Sequence, residues 1–293
     1  MTLLSFARHF REVMNGPLVR PALLYLKQKE FFTPVAAANC FGVFDSFDTA
    51  RAWLPPNEEF DHSALAKEYV EDRTQHVFTY DYPVMWWLER AFNDGATSVF
   101  DIGGSVGVHY YAYRHYFKMP ADLRWVVAEV PAMVAIGRDL AEKNQVTALQ
   151  FTENLEGGKD ASVWLSAGAF HYLDVRFDQL LLKSSARPRH ILLNKLPLYD
   201  GEDFVTTQNL GDGCYAPTHV YNRARFIREI EALGYTCVDA WKVLERSLHI
   251  PGHEERSIAA FTGLYFSRSS SPAPGDAGEV GKPVPLPPTK EAS

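Results

Sequence analysis

The chain is poor in cysteine: Cys40, Cys214 and Cys237 are the only three in 293 residues, widely spaced and without a metal-ligand pattern. An odd number so placed excludes a disulfide framework and reads as reduced thiols of an intracellular, cytoplasmic protein. Long apolar runs are missing as well. None approaches the roughly 20 residues that cross a bilayer, so no membrane-spanning helix is expected. Basic residues are not in excess: 29 Lys and Arg face 36 Asp and Glu, a formal net charge of −7, which argues against a general nucleic-acid binder. No metal set is evident either, since His249 and His253 flank Pro251-Gly252, a break that denies them a shared helical face. Finally, no Gly-x-Gly-x-x-Gly fingerprint follows any apolar strand, which counts against a dinucleotide held by its pyrophosphate.

What is present is a different glycine turn. Ser98-Val-Phe-Asp-Ile-Gly-Gly-Ser-Val-Gly-Val-His-Tyr-Tyr111 runs an apolar strand through an acid into glycines and then a helical pattern. Gly103, Gly104 and Gly107 supply backbone freedom and close approach, Ser105 is placed to cap the next helix, and Asp101 at the strand end accepts from the turn or counters a cationic ligand. This Asp-x-Gly-Gly-Ser-x-Gly turn leans toward S-adenosylmethionine, a cofactor with no phosphate and a positive sulfonium.

Around the turn, strand and helix patterns alternate, the signature of a parallel sheet covered on both faces. Arg124–Glu129 is the second strand, Leu149–Thr152 the third, Asp160–Ser166 the fourth and His190–Leu196 the fifth. Helices are expected over 105–118, from Pro131 to Asn144, around Phe177–Leu181, and over Phe226–Leu233 with Gly234 at the C-terminal cap. Tyr199 to about Tyr221 reads as a polar insertion. Tyr235–Trp241 and Ser257–Phe266 form the last two strands. The loop between them is too short for a crossover helix, so they should pair antiparallel.

Three segments are expected: a helical N-terminal extension over 1–78, an α/β domain over 79–268, and a disordered tail over 269–293 holding six of the eighteen prolines. Within the extension, Ser46 or Asp48 is placed to start a helix. Residues 3–14 are amphipathic and a second apolar group spans Leu23–Leu26, patterns that suit a helix covering the core or peripheral contact with a membrane. Pro285-Leu-Pro-Pro288 formally fits a polyproline ligand.

Open α/β sheets bind ligands at the carboxyl ends of their strands. Glu129, ending the second strand beside the glycine turn, is placed to accept from ribose hydroxyls. Glu153 and Asn154 after the third strand are placed for adenine, and Ser166, Ala167 and Gly168 after the fourth for the methyl donor. If the acceptor must lose a proton, His171 is the best-placed base, with Asp212, Tyr215 and His219 of the insertion as other acceptor-side groups.

These motifs together resemble bacterial class I S-adenosylmethionine-dependent methyltransferases. The resemblance rests on Gly42–Ala50, Tyr82–Val84, Asp101–Tyr110, Glu129–Pro131, Ser166–Leu173 and Thr262–Phe266. It implies a seven-stranded Rossmann-like methyltransferase sheet, mostly parallel with an antiparallel last strand. It also implies a small-molecule or saccharide-linked acceptor, as for enzymes encoded beside surface-polysaccharide biosynthesis genes. The position of His171 is more often glutamine in that family. An NAD-dependent reductase or epimerase, and a non-catalytic cofactor-binding scaffold, are the competing readings. The first lacks both the dinucleotide fingerprint and an evident Tyr-x-x-x-Lys pair.

Overall fold

A computed structural model describes residues 19–61, 70, 73–158, 160–184 and 186–268. The amphipathic 3–14 stretch and the proline-rich 269–293 tail lie outside the described residues. The central sheet is built from β2 (Ser98–Ile102), β3 (Arg124–Ala128), β4 (Leu149–Thr152), β5 (Val163–Ala167), β6 (His190–Leu196), β10 (Thr236–Val243) and β11 (Phe261–Ser267). Their order is β10-β11-β6-β5-β2-β3-β4. The five strands from β6 to β4 are parallel, while β11 runs antiparallel to both β6 and β10. This is the mostly parallel sheet with an antiparallel end that the short 242–256 connection requires.

Side chains alternate along each strand and so divide the core in two. Val99, Trp125, Val127, Leu165 and Leu192 pack with Val84 and Leu88 of α3 (Tyr82–Asn93), Tyr111 of α4 (Val108–Tyr113) and Val134 of α5 (Pro131–Lys143). Phe100, Val126, Trp164, Ile191 and Leu193 face the other way, against Phe177 and Leu181 of α6 (Phe177–Lys183) and Phe226 and Ile230 of α7 (Arg223–Glu231). Burial on both faces explains why these strands read as nearly continuous apolar runs.

Several boundaries differ from the sequence expectation. The helix after the glycine turn starts at Val108 and stops at Tyr113, because Ser105 adopts φ 55° inside the turn and Gly107, at φ 91°, occupies the cap position without a side-chain cap. Ser105 therefore does not cap. On α7 the cap is Ala232, and Gly234 lies two residues beyond with φ 89°. The extension is not purely helical: α1 (Val19–Phe31) and α2 (Phe47–Trp53) flank a strand, β1 (Cys40–Phe44). Ser46 does cap α2, accepting from the Thr49 N–H in a capping box.

The largest difference is the insertion, which is a hairpin. β8 (Phe204–Gly211) and β9 (Cys214–Asn222) join through Asp212-Gly213, both with positive φ, and form a second sheet of order β1-β8-β9-β7 with β7 (Leu198–Tyr199). An Asp-Gly pair supplies the left-handed turn such hairpins need. All three cysteines are free, and burial pushes the Cys40 thiol up to about 12. No helix among the described residues is long and apolar enough to cross a membrane.

Candidate functional site

The carboxyl ends of the parallel strands open into a cleft of about 1360 Å³, closed on the far side by Gln208 and Asn209 of the second sheet and by Leu23 and Leu24 of α1. Such a volume exceeds that of a single small-ligand pocket, roughly 300–1,000 Å³. It has room for two ligands side by side.

The glycine turn forms one wall. Gly103 has φ 71°, and a Cβ there would overlap the Ala169 methyl. A Cβ on Gly104 would overlap the Asp101 carboxylate, and one on Gly107 would come 2.7 Å from a Leu149 methyl. Of three left-handed residues in five, two are glycines that adopt this conformation freely, and Ser105 alone carries a side chain there, held by its surroundings. Gly103, Gly104 and Ser105 line the cleft.

Asp101 does not. It lies on the Val99 side of β2, fully buried, where its carboxylate bonds His109 Nδ1 at 2.9 Å and accepts from Trp125 Nε1 at 3.2 Å. The acid placed by sequence as a cofactor contact is thus a brace under the turn, because strand alternation points it away from the cleft.

Glu129 lies against the turn and lines the cleft. Its two carboxylate oxygens accept from the Ser105 and Val130 N–H groups, both at 2.9 Å, which fixes the side chain and leaves lone pairs free. Burial pushes the carboxyl up to about 7, against the downward pull of those two N–H donors. Glu153 and Ala167 also line the cleft, whereas Asn154 and Ser166 do not. Asn154 accepts from the Glu156 N–H outside it, and Ser166 is fully buried, donating to the Ile102 carbonyl at 2.9 Å.

His171, the candidate base, is 2% exposed and its ring lies 4.1 Å from that of Tyr172. Burial, reinforced by Lys195, pulls its pKa down to about 3, so it offers a hydrogen-bonding atom and is a weak proton acceptor. Asp212, Tyr215 and His219 are not among the cleft residues. Tyr215 sits in an aromatic cluster with Phe31 and Phe32, His219 packs on Phe47, and Asp212 turns the hairpin. No group of three His, Cys, Asp or Glu able to hold a metal occurs among the described residues.

Sequence reasoning passed over Lys195. It is the penultimate residue of β6, has φ 58°, is 8% exposed, and reaches the cleft. The signal was available: in Ile191-Leu-Leu-Asn-Lys-Leu196, two polar residues interrupt a strand buried on both faces. Asn194 accounts for itself by donating to the Tyr80 carbonyl and accepting from Trp241 Nε1.

No family model and no curated protein matches the chain. Solved structures similar to it include the N-terminal domain of EvdMO1 with S-adenosylhomocysteine bound, at 15% identity over 71% of this chain and 95% of that one, TM-score 0.43. Magnesium protoporphyrin IX methyltransferase from Synechocystis is 13% identical over 75% and 92%, TM-score 0.42. The 1,6-didemethyltoxoflavin-N1-methyltransferase of Burkholderia thailandensis is 13% identical over 74% and 92%, TM-score 0.41. At such identities and scores the likeness assigns neither a residue role nor a substrate to this chain.

Proposed function

We propose that the chain is an S-adenosylmethionine-dependent methyltransferase acting on a small-molecule or saccharide-linked acceptor. The observation that carries this reading is the Gly103–Gly104–Ser105 bend with the Glu129 carboxylate fixed against it by the Ser105 N–H, both lining one cleft at the strand ends. The residues present fit the donor: the glycines let the turn pack tightly onto Ala169 and Asp101 while the turn itself lines the cleft, and Glu129 keeps acceptor capacity for ribose hydroxyls. Gly103, Gly104, Ser105, Glu129, Glu153 and Ala167 would hold it. When bound it supplies a methyl group already activated by its positive sulfur.

The chain's own contribution is then to orient an acceptor in line and to exclude water. Gln208 of the second sheet accepts a 2.8 Å hydrogen bond from the hydroxyl of Tyr172, which follows β5, and both line the cleft. A surface-polysaccharide precursor is the acceptor class that this reading favours.

Isothermal titration provides the test: S-adenosylhomocysteine is expected to bind saturably at one site, and NAD binding without any response to S-adenosylhomocysteine would overturn the proposal. The carboxylate form of Glu129 is the better acceptor of ribose hydroxyls, and its carboxyl titrates near 7. Affinity should therefore rise between pH 6 and pH 8, by up to about tenfold if one protonation governs it. Glu129→Gln should bind more weakly and lose that pH dependence. Stability moves oppositely: a folded pKa above the unfolded value of 4.5 means the Glu129 contribution is fully present below about 4.5 and is lost as pH rises through about 7.

A further inference from the structure

Beyond the donor end of the cleft, cations gather that are not engaged in ion pairs. Lys195 Nζ lies 4.7 Å from the centre of the Tyr80 ring, and the Arg73 guanidinium lies 4.4 Å from that of Phe78. The two rings are themselves stacked, 5.4 Å apart and 6° from parallel, so a single aromatic pair carries both cations. Among the described residues, neither cation forms a salt bridge. Arg73 Nε and His171 Nδ1 are buried with no hydrogen-bond partner. Arg246 lines the same cleft and is exposed.

A buried guanidinium N–H is a donor only, and leaving it unpaired is costly; the Lys195 ammonium, a donor only as well, reaches the same cleft. Unmatched donors of one charge around one cavity call for an acceptor of the opposite charge. We propose that Lys195 and Arg73, with His171 at their edge, form an anion subsite that takes a phosphoryl group of the methyl acceptor. The proposal rests on the methyltransferase reading for the word acceptor, and on geometry alone for the anion. A phosphoryl group suits the site because it offers several charged acceptor oxygens to ammonium and guanidinium donors. It would also offset the repulsion between these cations and a positively charged donor.

The charged groups acting on Lys195 are Asp81 and Asp101, which favour its protonation, and Arg73 and Arg246, which oppose it. Burial is the largest effect and pulls the lysine down to about 7. The arrival of an anion should therefore be accompanied by proton uptake near neutral pH.

The experiment is calorimetry on the full chain with inorganic pyrophosphate, glucose 1-phosphate, UDP-glucose and methyl glucoside, repeated at pH 7 in buffers of different ionisation enthalpy. The phosphorylated probes are expected to bind at least tenfold tighter than the neutral glucoside and to take up protons on binding. Lys195→Met should weaken them at least tenfold and abolish the uptake, and Arg73→Met should weaken them similarly. Tighter binding of UDP-glucose than of glucose 1-phosphate supports the subsite with a sugar nucleotide as its source; equal binding supports it with a sugar phosphate. Phosphates that bind no better than the glucoside, or as well to Lys195→Met as to the parent, overturn the proposal. A titration with S-adenosylhomocysteine shows that each variant is folded and separates the two claims. Binding of S-adenosylhomocysteine without phosphates removes only the subsite, and the converse removes only the methyl-transfer reading.

Discussion

Gly103→Val is expected to abolish S-adenosylhomocysteine binding, a loss of at least 100-fold or about 2.7 kcal/mol, measured by isothermal titration. Two independent effects act at this position. The backbone sits at φ 71°, a region that costs an L-residue with a side chain roughly 1–2 kcal/mol. Added to this is a steric term, because the first side-chain carbon would occupy the place of the Ala169 methyl. Ala169 follows β5 and shares the cleft wall, so relief by movement would displace the wall itself. The two terms separate in a second pair of variants. Gly103→Ala should bind nearly as poorly as Gly103→Val, whereas Gly103→Ala combined with Ala169→Gly removes the clashing atom and should recover most of the affinity. A double variant as defective as the single one would show that backbone strain, and not the contact, governs the turn.

Asp101→Ala is expected to cost about 2–6 kcal/mol of stability, since it strands His109 Nδ1 and the Trp125 Nε1–H in a dry interior at roughly 1–3 kcal/mol each. For a domain of this size that corresponds to a fall of roughly 5–15 °C in Tm, read by calorimetry or circular dichroism. Asp101→Asn keeps an acceptor in the same place and should lose less than half as much. Because the Asp101 carboxylate packs directly beneath Gly104, donor affinity should fall alongside stability. A variant with unchanged Tm and weakened binding would return Asp101 to the cleft as a ligand contact, the role its position at a strand end first implied.

The hairpin shows why some of the fold was legible and some was not. Alternating strand and helix patterns, the Asp-x-Gly-Gly-Ser-x-Gly turn and a connection too short for a crossover are local, and each constrains the chain within a few residues. The second sheet is not local: Cys40 pairs with Gln208 and Phe41 with Thr207, across more than half the sequence. Thr206 and Thr207 lie fully buried there because their hydroxyls donate to the Gly42 and Phe41 carbonyls, which is why a polar insertion became part of the interior. The Asp212-Gly213 turn was the local sign of it.

The sequence by itself determined the mostly parallel sheet, its antiparallel close, the glycine bend and the acid beside it, because these follow from alternation, chain length and backbone freedom. Only the tertiary structure decided which acids and bases meet. Strand alternation turned Asp101 inward to His109 and Trp125, and packing brought Lys195 and Arg73 onto one aromatic pair beside His171. Residues more than a hundred positions apart share a cavity through the crossing of separate elements, and spacing along the chain carries no record of that.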